Sequence, residues 1–336
     1  MKLWRFGWIS LCCVCSWTVC LVYGDGVESP SLPDPLPSRS PVLQSQNHGE
    51  DWLPVKGGIA TEAQSSFLAR LGGGILLATD NAGLFIDDPS QGQWRQIGQG
   101  LPGKKLSALE VFGNEIYVSV YGEGLYRSED FGQNWQSMNA HVAKGRIQSI
   151  LKTKEAIIIG ADNDIFRWDE DSNQWTSQFS GVQVVSLDSL SDRVVAGTNS
   201  GVLLGDRRGN DWTWSHQEGA LHSVAVLGET IFAMYILGDL FLSNDGGRTW
   251  ENVEYAPRHR SYVYDVARVG DAFIMSNNYG VHRSRDGGRS WTLISQTEDR
   301  AFLDFLVVGE SVYGGVRIWN EYRERSDSLF GPRFGE

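Results

Sequence analysis

Short apolar runs, each broken by Gly, Asn, Asp or Ser, recur along the chain from about residue 51 onward. No segment sustains the 3.6-residue spacing of an amphipathic helix, so the pattern predicts strands and turns almost throughout. The runs fall into units. Trp52, Trp94, Trp135, Trp175, Trp212, Trp250 and Trp291 follow one another at intervals of 37 to 42 residues, a period that belongs to solenoids and propellers. Each unit reads as an apolar first strand, a second strand rich in Val, Ile and Ala, a third strand after a Gly- or Asn-containing turn, and a fourth led by Trp. First strands are expected at residues 66–71, 106–111, 147–152, 184–189, 221–226, 263–268 and 302–307.

Seven first strands need seven fourth strands, and the last unit lacks one. Its second and third strands are expected at 311–317 and 320–324, with no Trp-led strand after them. Trp52, Leu53, Pro54 and Val55 precede every first strand and are expected to fill that place. Pairing the two ends of the chain removes a sheet edge that would otherwise invite aggregation. The fold class is therefore all-β: a seven-bladed β-propeller over residues 51–336, four antiparallel strands per blade, closed by the N-terminal strand at residues 52–55.

The first 50 residues do not fit the repeat. Residues 1–24 open with Lys2 and Arg5, continue as an uncharged apolar run and reach Gly24, the pattern of a signal peptide. An uncleaved N-terminal anchor is the alternative, because the run is close to the shortest that spans a bilayer. All four cysteines, Cys12, Cys13, Cys15 and Cys20, lie in this segment. Cleavage would leave a mature chain without disulfides or thiolate chemistry. Residues 25–50, rich in Pro and Ser, are expected to be a semi-extended linker. The protein is thus expected to be exported, periplasmic or extracellular, monomeric, and to touch a membrane only through that first segment.

Three units carry a sharper motif, Ser-x-Asp-x-Gly-x-x-Trp. It comprises Ser128, Asp130, Gly132 and Trp135 in SEDFGQNW, Ser243, Asp245, Gly247 and Trp250 in SNDGGRTW, and Ser284, Asp286, Gly288 and Trp291 in SRDGGRSW. Weaker versions stand in phase at IDDPSQGQW, WDEDSNQW and GDRRGNDW. A carboxylate in such a hairpin accepts backbone N–H groups, Gly supplies the positive φ of the turn, and the Trp ring covers its base. The motif resembles the Asp-box, or bacterial neuraminidase repeat, of sialidase- and sortilin-like β-propellers. The resemblance implies that these twelve residues are structural, on the face opposite the usual binding site. It extends to xyloglucan-active glycosidases and to the photosystem II stability/assembly factor-like proteins. The sialidase Arg-Ile-Pro is absent: Arg146 and Ile147 are followed by Gln148, and Arg317 and Ile318 by Trp319. The Gly-Trp-rich second strand usual in the assembly factor is not visible either.

Composition narrows the function. Lys plus Arg total 29 against 41 Asp plus Glu, a net charge of −12, and no basic block offers a nucleic-acid footprint. His48, His216, His222 and His282 form no metal-ligand spacing, so neither metal nor cofactor is expected. Propeller ligands gather at the second-to-third-strand loops and interblade loops. Asp80, Glu123, Asp162 and Asp239 stand there and are the candidate carboxylates if the chain is a glycosidase. Arg258, His259 and Arg260, set among tyrosines in a long interblade segment, are candidate binding residues with Tyr279 and Trp319. The reading is a non-catalytic propeller that acts as a protein-interaction or assembly scaffold. The alternative is a carbohydrate-active hydrolase or a sugar-binding propeller.

Overall fold

The computed structural model describes residues 40–88, 92–138, 146–255, 261–297 and 300–318. These residues form 28 strands and no helix, so none is long and apolar enough to cross a membrane. The chain enters through β1 (Val42–Ser45) and β2 (Leu53–Pro54), then builds six blades in order. Blade 1 holds β3 (Ser65–Leu71), β4 (Gly74–Thr79), β5 (Leu84–Asp88) and β6 (Gln93–Ile97). Blade 2 holds β7 (Leu106–Phe112), β8 (Glu115–Val120), β9 (Gly124–Ser128) and β10 (Gln136–Ser137). Blade 3 holds β11 (Ile147–Lys152), β12 (Ile157–Ala161), β13 (Asp164–Asp169) and β14 (Gln174–Ser180). Blade 4 holds β15 (Val184–Ser189), β16 (Arg193–Thr198), β17 (Gly201–Asp206) and β18 (Thr213–His216). Blade 5 holds β19 (Leu221–Leu227), β20 (Thr230–Tyr235), β21 (Leu240–Ser243) and β22 (Glu251–Val253). Blade 6 holds β23 (Val263–Val269), β24 (Ala272–Asn277), β25 (Gly280–Ser284) and β26 (Thr292–Gln296). Blade 7 joins β27 (Arg300–Val308) and β28 (Ser311–Ile318) to β1 and β2, in the order β27-β28-β1-β2.

Every sheet is antiparallel and four-stranded, and the first strands neighbour one another in a closed cycle around the ring. The second strands read as continuous apolar runs because both of their faces meet adjacent blades. GILLAT of β4, IIIGA of β12 and AFIMSN of β24 are buried at every position. The fourth strands β6, β10 and β18, at the rim, are short and mostly exposed.

Closure uses two N-terminal strands where the sequence predicted one. Leu53 and Pro54 pair with Gln44 and Leu43 as the outermost strand, as expected. The strand between them and β28 is β1, whose Val42, Leu43, Gln44 and Ser45 pair with Gly315, Gly314, Tyr313 and Val312. Residues 320–324, expected as that third strand, lie outside the described residues, and β1 comes from the segment expected to be linker. The hairpin between β1 and β2 explains the choice. Its sequence, SQNHGEDW, repeats the Ser-x-Asp-x-Gly-x-x-Trp pattern with Asn47 in place of Asp. Ser45 Oγ accepts the Gly49 N–H at 2.9 Å, and Asn47 Oδ1 accepts the Asp51 N–H at 2.9 Å. Trp52 Nε1 donates to Gly49 O at 3.0 Å, and Arg283 of blade 6 latches the turn through Glu50 at 2.8 Å and His48 O at 2.8 Å. The Trp52 ring is 3% exposed and lies 4.2 Å from Phe302 and 5.8 Å from Phe305. Gly314 makes this packing possible: a Cβ there would stand 2.3 Å from Phe302 Cδ1.

The three full motifs are built alike. In blade 6, Ser284 Oγ accepts the Gly288 N–H at 2.9 Å, and Asp286 Oδ1 accepts the Arg289 and Ser290 N–H groups at 3.1 and 2.9 Å. Asp130 and Asp245 make the same pairs with residues 133–134 and 248–249. Hydrogen bonds from Asn134 hold the Asp130 carboxyl at about 2, and those from Thr249 and Ser290 hold Asp245 and Asp286 well below the usual carboxylate range. Gly288 has φ +91°, and its missing Cβ leaves room for Phe232 of blade 5.

Two outcomes test this architecture. Trp52→Ala should lower the unfolding free energy by about 3–5 kcal/mol, the range for emptying a buried aromatic site. A chemical-denaturation loss below about 1 kcal/mol would show that closure does not rest on this ring. Asp286→Ala should destabilise the protein at pH 7, and the difference should shrink progressively as pH falls through the acid range. The sign follows from the depressed folded pKa, whose stabilisation is present above the unfolded value and lost in acid.

Candidate functional site

A first strand lies at the inner edge of its sheet, so its free backbone N–H groups need partners from outside that sheet. All seven first strands carry a register shift at the same place, between Ser65 and Phe67, Leu106 and Ala108, Ile147 and Ser149, Val184 and Ser186, Leu221 and Ser223, Val263 and Asp265, and Phe302 and Asp304. In four of the seven the residue after the shift accepts an amide of the next blade. Ser149 Oγ accepts the Leu187 N–H at 2.8 Å, and Ser186 Oγ the Val224 N–H at 2.8 Å. Asp265 Oδ2 accepts the Phe305 N–H at 2.7 Å, and Asp304 Oδ2 the Leu68 N–H at 2.5 Å. Two residues further along, Glu110 Oε1 accepts the Lys152 N–H at 3.3 Å and Asp188 Oδ2 the Val226 N–H at 2.7 Å.

These four acids line a central cavity of about 1190 Å3. Each keeps some surface toward the channel, yet protein surrounds it on the remaining sides. Burial dominates their chemistry. It pushes Glu110 up to about 8, against the pull of the Lys152 amide, and Asp188 and Asp304 up to about 6. Asp265 is raised by burial and by the neighbouring Asp304. None of the four was a sequence candidate. The available signal was a lone acid inside an otherwise apolar first strand, as in LSALEVF and VVSLDS.

The sequence candidates lie elsewhere, and the structure does not bring them together as one group. Of Asp80, Glu123, Asp162 and Asp239, Asp80 lines the cavity, and its Oδ2 accepts from Arg317 Nη2 at 2.6 Å. Asp162 ties its own blade, accepting the Arg146 N–H at 2.9 Å and Gln148 Nε2 at 2.8 Å. Glu123 is exposed on the turn after β8, and the Asp239 carbonyl accepts the Tyr235 N–H at 2.9 Å in the turn after β20. Tyr279 is 36% exposed on the turn between β24 and β25, whose shape Asn277 Oδ1 holds by accepting the Tyr279 N–H at 2.8 Å. Arg258, His259, Arg260 and Trp319 lie outside the described residues. Among the described residues no cluster of three or more His, Cys, Asp or Glu could hold a metal ion.

The same end of the ring exposes apolar side chains. Tyr121, Ile236, Leu237, Tyr262 and Tyr279 all stand on its second-to-third-strand or interblade loops, and Leu237 is 84% exposed. Their backbone is held firmly. Ile236 N–H donates to Ala220 O at 3.1 Å, Gly238 N–H to Tyr235 O at 3.0 Å, and the buried Tyr255 hydroxyl to Gly238 O at 2.6 Å. Lys105 Nζ stands 4.1 Å over the Tyr121 ring.

No protein-family model and no curated protein matches this chain. Solved structures match its fold at low identity. YCF48 bound to D1 peptide is 16% identical, with a TM-score of 0.60 over 84% of this chain and 97% of the other. The extracellular domain of a hybrid two component system from B. thetaiotaomicron is 13% identical, with a TM-score of 0.60 over 74% of this chain. An ancestral GH74 enzyme is 17% identical, with a TM-score of 0.56 over 77%. This chain spans 36% of that extracellular domain and 40% of that enzyme. All three share the propeller, which hosts unrelated activities.

Glu110 provides a test of the channel chemistry. A folded-state pKa raised above the unfolded value stabilises at low pH, and that contribution is lost as pH rises through about 8. Glu110→Gln should therefore melt with the wild type at pH 5 and above it at pH 9. Equal melting temperatures at both pH values would place this carboxyl in water.

Proposed function

We propose that this chain is an exported, non-catalytic β-propeller that acts as a protein-interaction scaffold and docks its partner on the loop face around the channel mouth. One observation carries the reading: five of the eight large hydrophobic side chains exposed among the described residues stand on that face. Aromatic and aliphatic anchors on a fixed backbone lose little freedom on binding, which favours a docking surface. The acids nearest the channel axis support the same reading. A glycosidase needs two carboxyl groups free to face one sugar ring, whereas Glu110, Asp188, Asp265 and Asp304 are each committed to a backbone amide of the next blade. The YCF48 structure bound to a peptide agrees with a docking role, and the extracellular two-component domain agrees with export.

The GH74 likeness keeps a sugar-directed function as the second reading, with Tyr121 and Tyr279 as platforms and Asp80 as the carboxylate. Photo-crosslinking in the native host separates the two. A crosslinking residue at position 237 or 262 should give discrete protein adducts, and one at position 214, on the outer strand of blade 4, should give none. Absence of adducts from the mouth face would overturn the scaffold. So would hydrolysis of xyloglucan oligosaccharides or sialosides by the purified protein that Asp80→Asn abolishes.

A further inference from the structure

Blade 7 is the one blade assembled from both ends of the chain, and its two junctions are the only described ones in which Asp stands at the position after the register shift. Asp265 of blade 6 holds the Phe305 amide of blade 7, and Asp304 of blade 7 holds the Leu68 amide of blade 1. The same task at the same register is done in blades 3 and 4 by Ser149 and Ser186. A hydroxyl is therefore sufficient to cap the neighbouring amide. Burying a carboxyl instead costs stability whenever it ionises, so capping does not account for two adjacent aspartates.

Backbone amides offset part of the burial, with Asp265 Oδ1 also accepting the Val266 N–H at 2.8 Å, yet burial still raises both carboxyls. The charges acting most strongly on Asp265 are Asp304 and Asp188, both acids. On β28, Arg317 is engaged with Asp80. On β23, Arg268 donates Nε to Gly270 O and lies over the Phe273 ring, 6.0 Å from its centroid. On β19, His222 packs edge-on against Tyr264, and burial disfavours its charged form. Lys105 stands over Tyr121, and Arg146 joins the cavity lining from blade 3. On blade 1, β3 faces Asp304 with the Leu68 amide.

We propose that Asp265 and Asp304 form a pH-responsive clasp on both sides of the closure blade, holding blades 6, 7 and 1 together in mild acid and slackening them as both carboxyls ionise. In the protonated state each carboxyl still accepts its amide through the carbonyl oxygen, and the two add no charge to the channel. In the ionised state two like charges stand near each other in the channel wall, which opposes the junctions they bridge. The direction follows from the raised folded values, about 6 for Asp304, so the stabilisation is present in acid and lost as pH rises through that value.

Native-state hydrogen exchange reads the clasp directly, because the two amides it holds are identified. Between pH 5 and pH 8, after correction for the intrinsic exchange rate, protection of the Leu68 and Phe305 amides should fall by about tenfold or more relative to Ile158 of blade 3, the change expected for one unit of pKa shift. Asp304→Asn should remove most of the pH dependence at Leu68, and Asp265→Asn most of it at Phe305. Protection at both amides that follows Ile158 across this range in the wild-type protein would overturn the proposal without any variant being made. Retention of the full pH dependence in Asp304→Asn would also overturn it. A loss at Val226 in place of Leu68 and Phe305 would assign the response to Asp188 and exclude the closure blade.

Discussion

The inner edge of each blade is the constraint on which the ring depends. A four-stranded sheet satisfies the backbone of its middle strands, but the first strand turns one row of N–H groups away from its own sheet. In four of the seven blades a register shift at one fixed position turns a Ser or Asp side chain toward the next blade, and that side chain accepts the amide. Several features follow from this arrangement. Polar residues appear inside otherwise apolar first strands. Carboxyl groups stand in the channel wall, and burial raises their pKa even though the backbone amides they accept pull the other way.

Closure imposes a second demand of a different kind. Six blades form from consecutive hairpins, but blade 7 needs strands more than 260 residues apart to meet, as the bonds from Gln44 to Ser311 and Tyr313 show. Such contacts repay their loop-closure entropy only when much of the ring is in place. The closing hairpin is accordingly over-determined. It has its own Ser45 and Asn47 turn, the buried Trp52 ring against Phe302, and the Arg283 latch from the neighbouring blade.

The seven tryptophans made the blade count legible because each marks the same hairpin, and the expected first strands agree with the observed ones to within two residues at either end. The closing blade was less legible for a local chemical reason. Asn47 accepts the same amide that Asp accepts elsewhere, so SQNHGEDW works as the motif without its signature residue. The Pro- and Ser-rich residues before it predict an extended linker, and the repeat then places the third strand at 320–324 instead. The channel acids were illegible for a geometric reason. A single acid in a strand reads as a solvent-facing position, and only the curvature of a closed ring turns that position toward a crowded axis. The loop carboxylates were found at the expected turns, yet Asp80 and Asp162 are engaged with Arg317 and with the Arg146 amide, and local sequence does not disclose such partners.

The two ends of the ring carry different chemistry. At one end the Ser-x-Asp-x-Gly-x-x-Trp hairpins spend their carboxylates on their own turns, with Asp286 alone accepting two backbone amides and the Ser290 hydroxyl. Carboxylates so saturated have no lone pairs in favourable positions left for a ligand. At the other end the turns are shaped by backbone bonds and by Asn277, which leaves the rings of Tyr262 and Tyr279 and the Ile236 and Leu237 side chains facing outward. Apolar surface that turn formation does not require is costly to keep in water. Its concentration on one face, over loops already held in place, is the observation on which the proposed docking role rests. The channel below has a different task, since its acids answer to the blades on either side of them.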